Sequence, residues 1–310
     1  MKILTIAGFN KNRFAPFIIE QVDALKQLGF EVDYFGVRGK GMLGYLSNLN
    51  PMKDKISDYQ PDLIHAHYGL SGLLANLQRS IPVVTTYHGS DIHSGGKSLL
   101  LSKQSIRLSA FNIFVSEWLL KQSGYRGDRQ RIIPCGIDTV VFCPIERSEA
   151  RKSLGWSLDK KYVLFSGAYD IEVKNSPLAK KAIEMVEGVQ LVELNGYTRE
   201  QVNLIMNAVD CLLLTSFREG SPQVIKEALA CGTPIVSVGV ADVEKLTSGI
   251  DGCYITNYDA AEIAGKIRLA LTFQGKTNGR SRIFECNLSN DYIAKQVAEV
   301  YELALKNNTK

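Results

Sequence analysis

Two carboxylates flanking a helix start are the strongest chemical signal in the sequence. The segment Thr215-Ser216-Phe217-Arg218-Glu219-Gly220-Ser221-Pro222-Gln223-Val224-Ile225-Lys226-Glu227 follows the apolar run Cys211-Leu212-Leu213-Leu214. Ser221 suits an N-cap and Pro222 a first helical position. Gly232 stops the helix and Pro234 lies just beyond it. A loop carrying Glu219 therefore feeds a helix N-terminus. The free N–H groups and dipole of such a terminus favour an anion. Glu219 can accept hydrogen bonds from sugar hydroxyls, and Glu227, farther along the helix, can reach a second polyol. An anion cradle between two carboxylates suits a phosphorylated sugar. An acid that merely complements the helix dipole, with a second acid on the surface, is the plainer reading of such a pair.

The elements that position these residues alternate along the whole chain. Apolar runs predict strands at 2–7, 31–36, 62–66, 82–87, 112–115 and 131–134, then at 162–166, 190–194, 210–214, 234–238 and 253–255. Helical spacing predicts helices at 15–28, 176–187, 199–207, 222–231, 259–272 and 290–306. Strands alternating with helices imply right-handed crossovers and parallel sheets. Ligands then sit beyond the carboxyl ends of the strands. In the first half those ends are the loops Gly8–Arg13, His65–Gly72 and His88–Gly96. They put Gly8, Asn10, His67 and Asp91 at a ligand edge, which the family resemblance described below makes the acceptor side. A chain of 310 residues suits two domains. Gly136, Pro144 and a charged run place the joint inside 136–150, with domains at 1–140 and 141–289.

Composition narrows the classes. Hydrophobic residues make up 45% and charged residues 22%, as in ordinary globular chains. A net charge of +4 makes no demand for nucleic acid. Residues 1–150 carry 17 Lys and Arg against 13 Asp and Glu, whereas residues 151–310 carry 19 of each. An anionic partner would therefore favour the first half. The cluster Lys121, Arg126, Arg129 and Arg131 and the Gly39-Lys40-Gly41 loop could line an acceptor route or meet anionic lipid head groups. A solvated surface explains them equally well. Six cysteines, at 135, 143, 211, 231, 253 and 286, form no Cys-x-x-Cys pair and no zinc spacing. Cys211 and Cys231 read as reduced core thiols, which suits the cytosol. The apolar start, Met1 to Gly8, is too short for a signal peptide or membrane span.

Several segments together resemble the retaining glycosyltransferase family four, in the compact type associated with bacterial surface polysaccharides. They are Glu219-Gly220-Ser221-Pro222 through Glu227 with Gly232-Thr233-Pro234, Pro61-Asp62-Leu63-Ile64-His65-Ala66-His67, Thr86-Tyr87-His88-Gly89-Ser90-Asp91, Phe114-Val115-Ser116-Glu117 and Ile133-Pro134-Cys135-Gly136-Ile137-Asp138. Five segments in the family's order carry far more weight than any one. The resemblance implies the GT-B fold, two Rossmann-like domains with parallel sheets facing across a cleft, and a C-terminal helix (290–310) returning to the first domain. It implies that His88 contacts the transferred sugar, Glu219 the sugar hydroxyls and Glu227 the ribose. The amides of Gly220, Ser221, Pro222, Gln223 and Val224 would define the donor loop, although Pro222 itself has no N–H. Lys174 matches the lysine that neutralises the leaving diphosphate, a task for a fixed cation. In isolation Lys174 would read as an exposed loop lysine.

The sequence departs from that pattern at three places. Gly167-Ala168-Tyr169 stands where Gly-Arg-Leu is frequent, which removes one diphosphate-binding arginine; Arg218 is the nearest substitute. Gly239-Val240-Ala241-Asp242 replaces a frequent Gly-Gly or Gly-Asp loop. The span from Lys174 to Glu219 lacks room for one further strand–helix unit. His65 and His67 share one face of a strand and could ligate a metal, yet no third ligand is evident; packing is the simpler reading. No Asp-x-Asp loop for a divalent cation is evident.

These observations predict a cytoplasmic enzyme, in part peripheral at the inner membrane face, that needs no metal or other cofactor. It would transfer a sugar with retention from a nucleotide sugar to a saccharide or lipid-linked acceptor in cell-surface polysaccharide synthesis. Two alternatives remain: an epimerase or hydrolase of nucleotide sugars on the same fold, and a non-catalytic sugar-nucleotide-binding subunit.

Overall fold

Eleven short strands, all in parallel pairs, form two separate sheets in the computed structural model, which describes residues 1–9, 13–39, 41–93 and 96–308. The chain divides into two compact units, Met1–Gly136 with Asn290–Lys310, and Ile137–Ser289. The division thus falls at Gly136/Ile137, four residues before the sequence-based boundary.

The first unit holds β1 (Lys2–Gly8), β2 (Glu31–Val37), β3 (Leu63–His67), β4 (Val83–Tyr87), β5 (Phe111–Phe114) and β6 (Gln130–Ile132), in the order β2-β1-β3-β4-β5-β6. Its central strands are apolar on both faces because helices cover both. On one face Ile3, Leu63, Val84 and Ile113 pack with Val22 and Leu25 of the Pro16–Gln27 helix. The C-terminal Asn290–Asn308 helix joins this layer through Ile293, Val297, Val300 and Tyr301, a stripe at helical spacing. The opposite face packs Leu4, Ile6 and Ile64 against Met52 and Leu74. Gly136 lies where a Cβ would meet Asn290 Oδ1 at 2.4 Å and Asn290 Cα at 2.9 Å. Glycine therefore lets the start of the last helix lie directly on the Cys135–Gly136 turn.

The second unit holds β7 (Lys161–Phe165), β8 (Val189–Glu193), β9 (Cys211–Leu214), β10 (Ile235–Val238) and β11 (Cys253–Thr256), in the order β11-β10-β9-β7-β8. Alternate residues serve opposite layers: Leu212 and Leu214 meet Ile205, Ile225 and Leu229, whereas Cys211 and Leu213 meet Ala179, Ile263 and Ile267. Cys211 and Cys231 are fully buried thiols whose pKa values burial pushes up. Among the described residues no helix is long and apolar enough to cross a membrane.

Candidate functional site

In the second unit, the loops that follow β7 and β9 are stitched together by a main-chain bond and by the Thr215 hydroxyl. Phe217 N–H donates to Val173 O at 2.9 Å, and Thr215 Oγ1 donates to Lys174 O at 2.9 Å and Asn175 O at 3.1 Å. The backbone at Asn175 is left-handed, φ 56°, which turns the chain out of a single 3-10 turn, Glu172–Lys174, into the Ser176–Ile183 helix. Lys174 is thereby laid across Gly167, where an added Cβ would sit 3.1 Å from its Cγ. Its Nζ reaches Glu219 Oε1 at 2.7 Å, with side-chain exposures of 21% and 15%. The structure thus brings together the two residues assigned to leaving group and sugar. A half-buried pair of this kind can exchange its internal partner for a ligand's charges at lower cost than an isolated buried charge could.

Glu227 is not a surface acid. It is 4% exposed in the Gln223–Cys231 helix and accepts from Arg199 Nη1 at 2.7 Å. Arg199 starts the Arg199–Ala208 helix and stacks its guanidinium over Phe142, 4.4 Å from the ring centroid. Sequence reading missed Arg199: it lies 28 residues from its partner, and its only local signal was a helix start. Arg218, offered above as a replacement cation, is exposed, and Ala168 at the arginine position is 8% exposed.

The helix start differs from expectation. Pro222 occupies the N-cap and Gln223 opens the helix, with no side chain capping it. The hydroxyl of Ser221 instead donates to Asp242 Oδ2 at 2.7 Å. That bond is charge-assisted and turns the hydroxyl's proton toward the Asp242 loop. Asp242 belongs to the divergent loop, where Ala241 adopts φ 54°. That left-handed backbone suits glycine, the frequent residue in this loop of the family pattern.

Among the described residues of the second unit, four buried side-chain oxygens find no hydrogen-bond partner: Ser166 Oγ, Ser216 Oγ, Asp242 Oδ1 and Thr256 Oγ1. They follow or end β7, β9, β10 and β11, so all lie at the carboxyl edge of this sheet. Leaving such a group unsatisfied costs about 1–3 kcal/mol. Gly220, Pro222 and Val224 are buried beside them, and Ser221 and Gln223 are half-buried.

The first unit gathers a different set at its own carboxyl edge. His65 is buried and satisfied, with Nδ1 2.7 Å from Tyr301 Oη and Nε2 2.8 Å from Thr86 Oγ1. Burial pushes its pKa down to about 3, so it is a neutral core residue. His67 is fully buried and held far below the usual range by desolvation, then by its two histidine neighbours. Its Nδ1 lies 3.0 Å from His88 Nε2, and His88 Nδ1 lies 3.5 Å from Cys135 Sγ. The His88 ring also rests against Phe17 and Tyr68 at 4.8 and 4.7 Å. A ligand that hydrogen-bonds this ring must displace His67 or Cys135. Asp91 is 6% exposed and accepts from Gly89 N–H at 2.8 Å and Gly69 N–H at 3.0 Å. Burial lifts its pKa to about 6 against those amides. Gly8 ends β1, paired with Val37; Asn10 lies outside the described residues. Among the described residues no group of three or more His, Cys, Asp or Glu side chains is placed to hold a metal ion.

Comparison with known proteins agrees with this architecture. The chain is 26% identical over 273 residues to a D-inositol 3-phosphate glycosyltransferase of Mycobacterium marinum, covering 71% of this chain and 58% of that protein. It is 28% identical over 226 residues to the putative teichuronic acid biosynthesis glycosyltransferase TuaC of Bacillus subtilis, covering 64% and 58%. The chain thus spans less than two thirds of the length of these relatives. In fold it is similar to sucrose-phosphate synthase from Thermosynechococcus elongatus, with a TM-score of 0.80 at 18% identity over 97% of this chain and 98% of that one. Anabaena HepE, solved in complex with UDP and glucose, superposes with a TM-score of 0.75 at 17% identity over 97% and 99%. These neighbours give the fold as GT-B. Residues 16–141 match Glycosyltransferase Family 4 and residues 161–272 match Glycosyl transferases group 1, so the chain belongs to glycosyltransferase family four.

Proposed function

We propose that this chain transfers a sugar from a nucleoside-diphosphate donor to a saccharide or lipid-linked acceptor, with retention, in the synthesis of a cell-surface polysaccharide. The observation that carries the reading is the Lys174–Glu219 pair, 2.7 Å apart at the carboxyl edge of the second sheet. As the nucleoside diphosphate departs, its growing negative charge draws Lys174 away from Glu219. A fixed cation in a half-buried setting stabilises that charge. Glu219, released, accepts from hydroxyls of the sugar. Glu227, held by Arg199, accepts from the ribose. The amides opening the Gln223–Cys231 helix face the diphosphate. The unpartnered oxygens of Ser166, Ser216 and Asp242 supply further acceptors, and the hydroxyls among them further donors. The leaving diphosphate takes the acceptor's proton, so no protein nucleophile is required. In the first unit His88 contacts the transferred sugar, and His67 and Asp91 serve the acceptor. The TuaC and HepE likenesses favour a UDP-linked donor and a polysaccharide product. The enzyme would work in the cytoplasm, with Lys121, Arg126 and Arg129 exposed for contact with anionic lipid. Arg131 is already paired with Glu299 at 2.7 Å.

Binding is tested by thermal shift across a panel of nucleotide sugars, since a ligand of the native state raises apparent stability. Product analysis with donor alone separates transfer from epimerisation or hydrolysis. Full activity in EDTA is expected, with Lys174 as the cation at the diphosphate. A loss reversed by magnesium or manganese would contradict that assignment. The buried methyl of Ala168, where the family pattern has arginine, favours a second reading: a subunit that binds nucleotide sugar without turnover. A thermal shift with no product from any acceptor would select it.

A further inference from the structure

The opposite edge of the second sheet carries a cationic pocket that the proposed transfer does not use. In a parallel sheet all strands begin at one edge. Here β7 begins at Lys161, and Asp210 immediately precedes β9. Lys174 and Glu219 follow the other ends of these strands. At the amino edge, Glu146, Arg147, Arg151, Lys161, Asp210 and Lys276 line a cavity of ≈ 440 Å³.

The charges there do not balance internally. Asp210 has a side chain 1% exposed and accepts from Arg151 Nη2 and from Tyr162 N–H, each at 2.8 Å. Arg151 is its buried structural partner: Nε donates to Ala208 O and Nη1 to Leu158 O, both at 2.8 Å. That pair is neutral. Yet Arg147 Nη1 also reaches Asp210 at 3.0 Å and Lys161 Nζ at 3.4 Å. Lys276 Nζ is held close by, donating to Asn207 Oδ1 at 2.7 Å. Three cations, Arg147, Lys161 and Lys276, therefore face one remaining carboxylate, Glu146. The Arg147–Leu154 helix starts at the same rim with no side chain capping its N-terminus, which adds a dipole of the same sign.

We propose that this pocket binds a phosphate group, free or on a small organic ester, as a second anion site separate from the donor site. A phosphate dianion matches the surplus of positive charge, and charge-assisted hydrogen bonds from a guanidinium and ammonium groups suit its oxygens. The cavity falls in the size range of small-molecule pockets and leaves room for more than the phosphate itself. Lys276 supports the assignment. Burial holds its pKa at about 8, with repulsion from Arg147 in the same direction and Cys231 and Glu146 opposing. A bound dianion relieves that repulsion and keeps Lys276 protonated.

The test is calorimetric titration of the full chain with inorganic phosphate and, separately, with glucose 6-phosphate. Arg147→Gln and Lys276→Met should each weaken binding by about tenfold, the loss of one charge-assisted contact. Lys174→Ala, at the other edge, should leave it unchanged. The side-chain NMR signal of Lys276 should titrate at higher pH when phosphate is present, a readout that needs no variant to fold. Tighter binding of the sugar phosphate assigns an organic ester, and equal binding assigns recognition of the phosphate alone. No binding of either probe at millimolar concentration would overturn the proposal. So would binding abolished by Lys174→Ala and indifferent to both pocket variants, which would place the ion at the donor site.

Discussion

The carboxyl edges of the two sheets are built from opposite materials. In the first unit the edge is lined by imidazoles that burial keeps neutral, His65 and His67, and by Asp91, whose carboxylate is held by backbone amides. In the second unit the edge is lined by full charges in pairs, Lys174 with Glu219 and Arg199 with Glu227. Neutral hydrogen-bonded groups hold a shape; ion pairs hold charge that a ligand can claim. Under the proposed transfer, the contrast favours the second unit as the one that holds the diphosphate, since a growing negative charge is stabilised by a movable cation and not by neutral rings. It also separates two kinds of damage. Changes in the first unit should act on folding and pH response, changes in the second on chemistry.

The sharpest way to break this contrast is Glu219→Gln. It leaves Lys174 without its 2.7 Å partner and, under the proposed transfer, removes the sugar's carboxylate contact. Steady-state kinetics should show kcat/KM falling by about a thousandfold, the upper range for a lost preorganised contact. Adding Lys174→Ala should cost less than the sum of the single losses, because both act on one ligand. Independent, additive losses would show that the two residues do not share a site.

Arg199→Ala tests whether the second pair is structural as well. Glu227 is 4% exposed and would be left without its guanidinium partner. Breaking such a pair costs about 3 kcal/mol. Urea unfolding followed by Trp156, in a Trp118→Phe background, should report that loss in the second unit. An unchanged midpoint would mean that Glu227 has found another donor.

The first unit should instead respond to pH. His65 and His67 have pKa values depressed on folding, so their contribution is present above about 6.5 and is lost as pH falls toward the folded values. Asp91 works the other way: its pKa is raised to about 6, so its contribution falls as pH rises from about 4 to 6. Two histidines against one aspartate leave a net loss on acidification. Melting curves followed by Trp118 in a Trp156→Phe background should fall between pH 7 and pH 4. His65→Gln should flatten part of that fall. A pH-independent first unit would contradict the burial of both rings.

The smallest effect is expected at Cys135. Its sulfur is 3.5 Å from His88 Nδ1, a weak contact that serine can replace. Cys135→Ser should keep kcat/KM within about threefold, no more than the lower part of the range for one neutral hydrogen bond. A loss comparable with that of Glu219→Gln would move the chemistry toward the first unit.

How much of this was legible in the sequence differs by element. All eleven strands could be located: the central ones are apolar runs buried on both faces, and the partly exposed edge strands, β2, β6, β8 and β11, still carry apolar residues next to turn residues. The Arg147–Leu154 helix was not, because Arg147-Ser148-Glu149-Ala150-Arg151-Lys152-Ser153-Leu154 carries almost no apolar stripe. Its buried face is Ala150 and an arginine neutralised by Asp210, a partner visible only once the chain folds. Within the site, Glu219 and Glu227 stood out from their spacing around a helix start, whereas Lys174 was picked out only by the family resemblance. Arg199 was not, since nothing in its neighbours marks it as the partner of a residue on another helix. The role of Ser221 was misjudged for the same reason: local rules favour an N-cap, and the carboxylate that orients its hydroxyl, Asp242, lies on a different loop.

The central claim is that Lys174 acts on charge that develops in the transition state, whereas Glu227 grips the donor in its ground state. Steady-state kinetics of Lys174→Ala and Glu227→Gln, with acceptor saturating and donor varied, tests it directly. For Lys174→Ala the account predicts kcat lower by about a hundredfold with a modest change in donor KM. For Glu227→Gln it predicts the reverse, a donor KM higher by about tenfold with kcat largely kept. Near-wild-type kcat and KM for a folded Lys174→Ala would contradict the account and make Arg218 the next cation to examine.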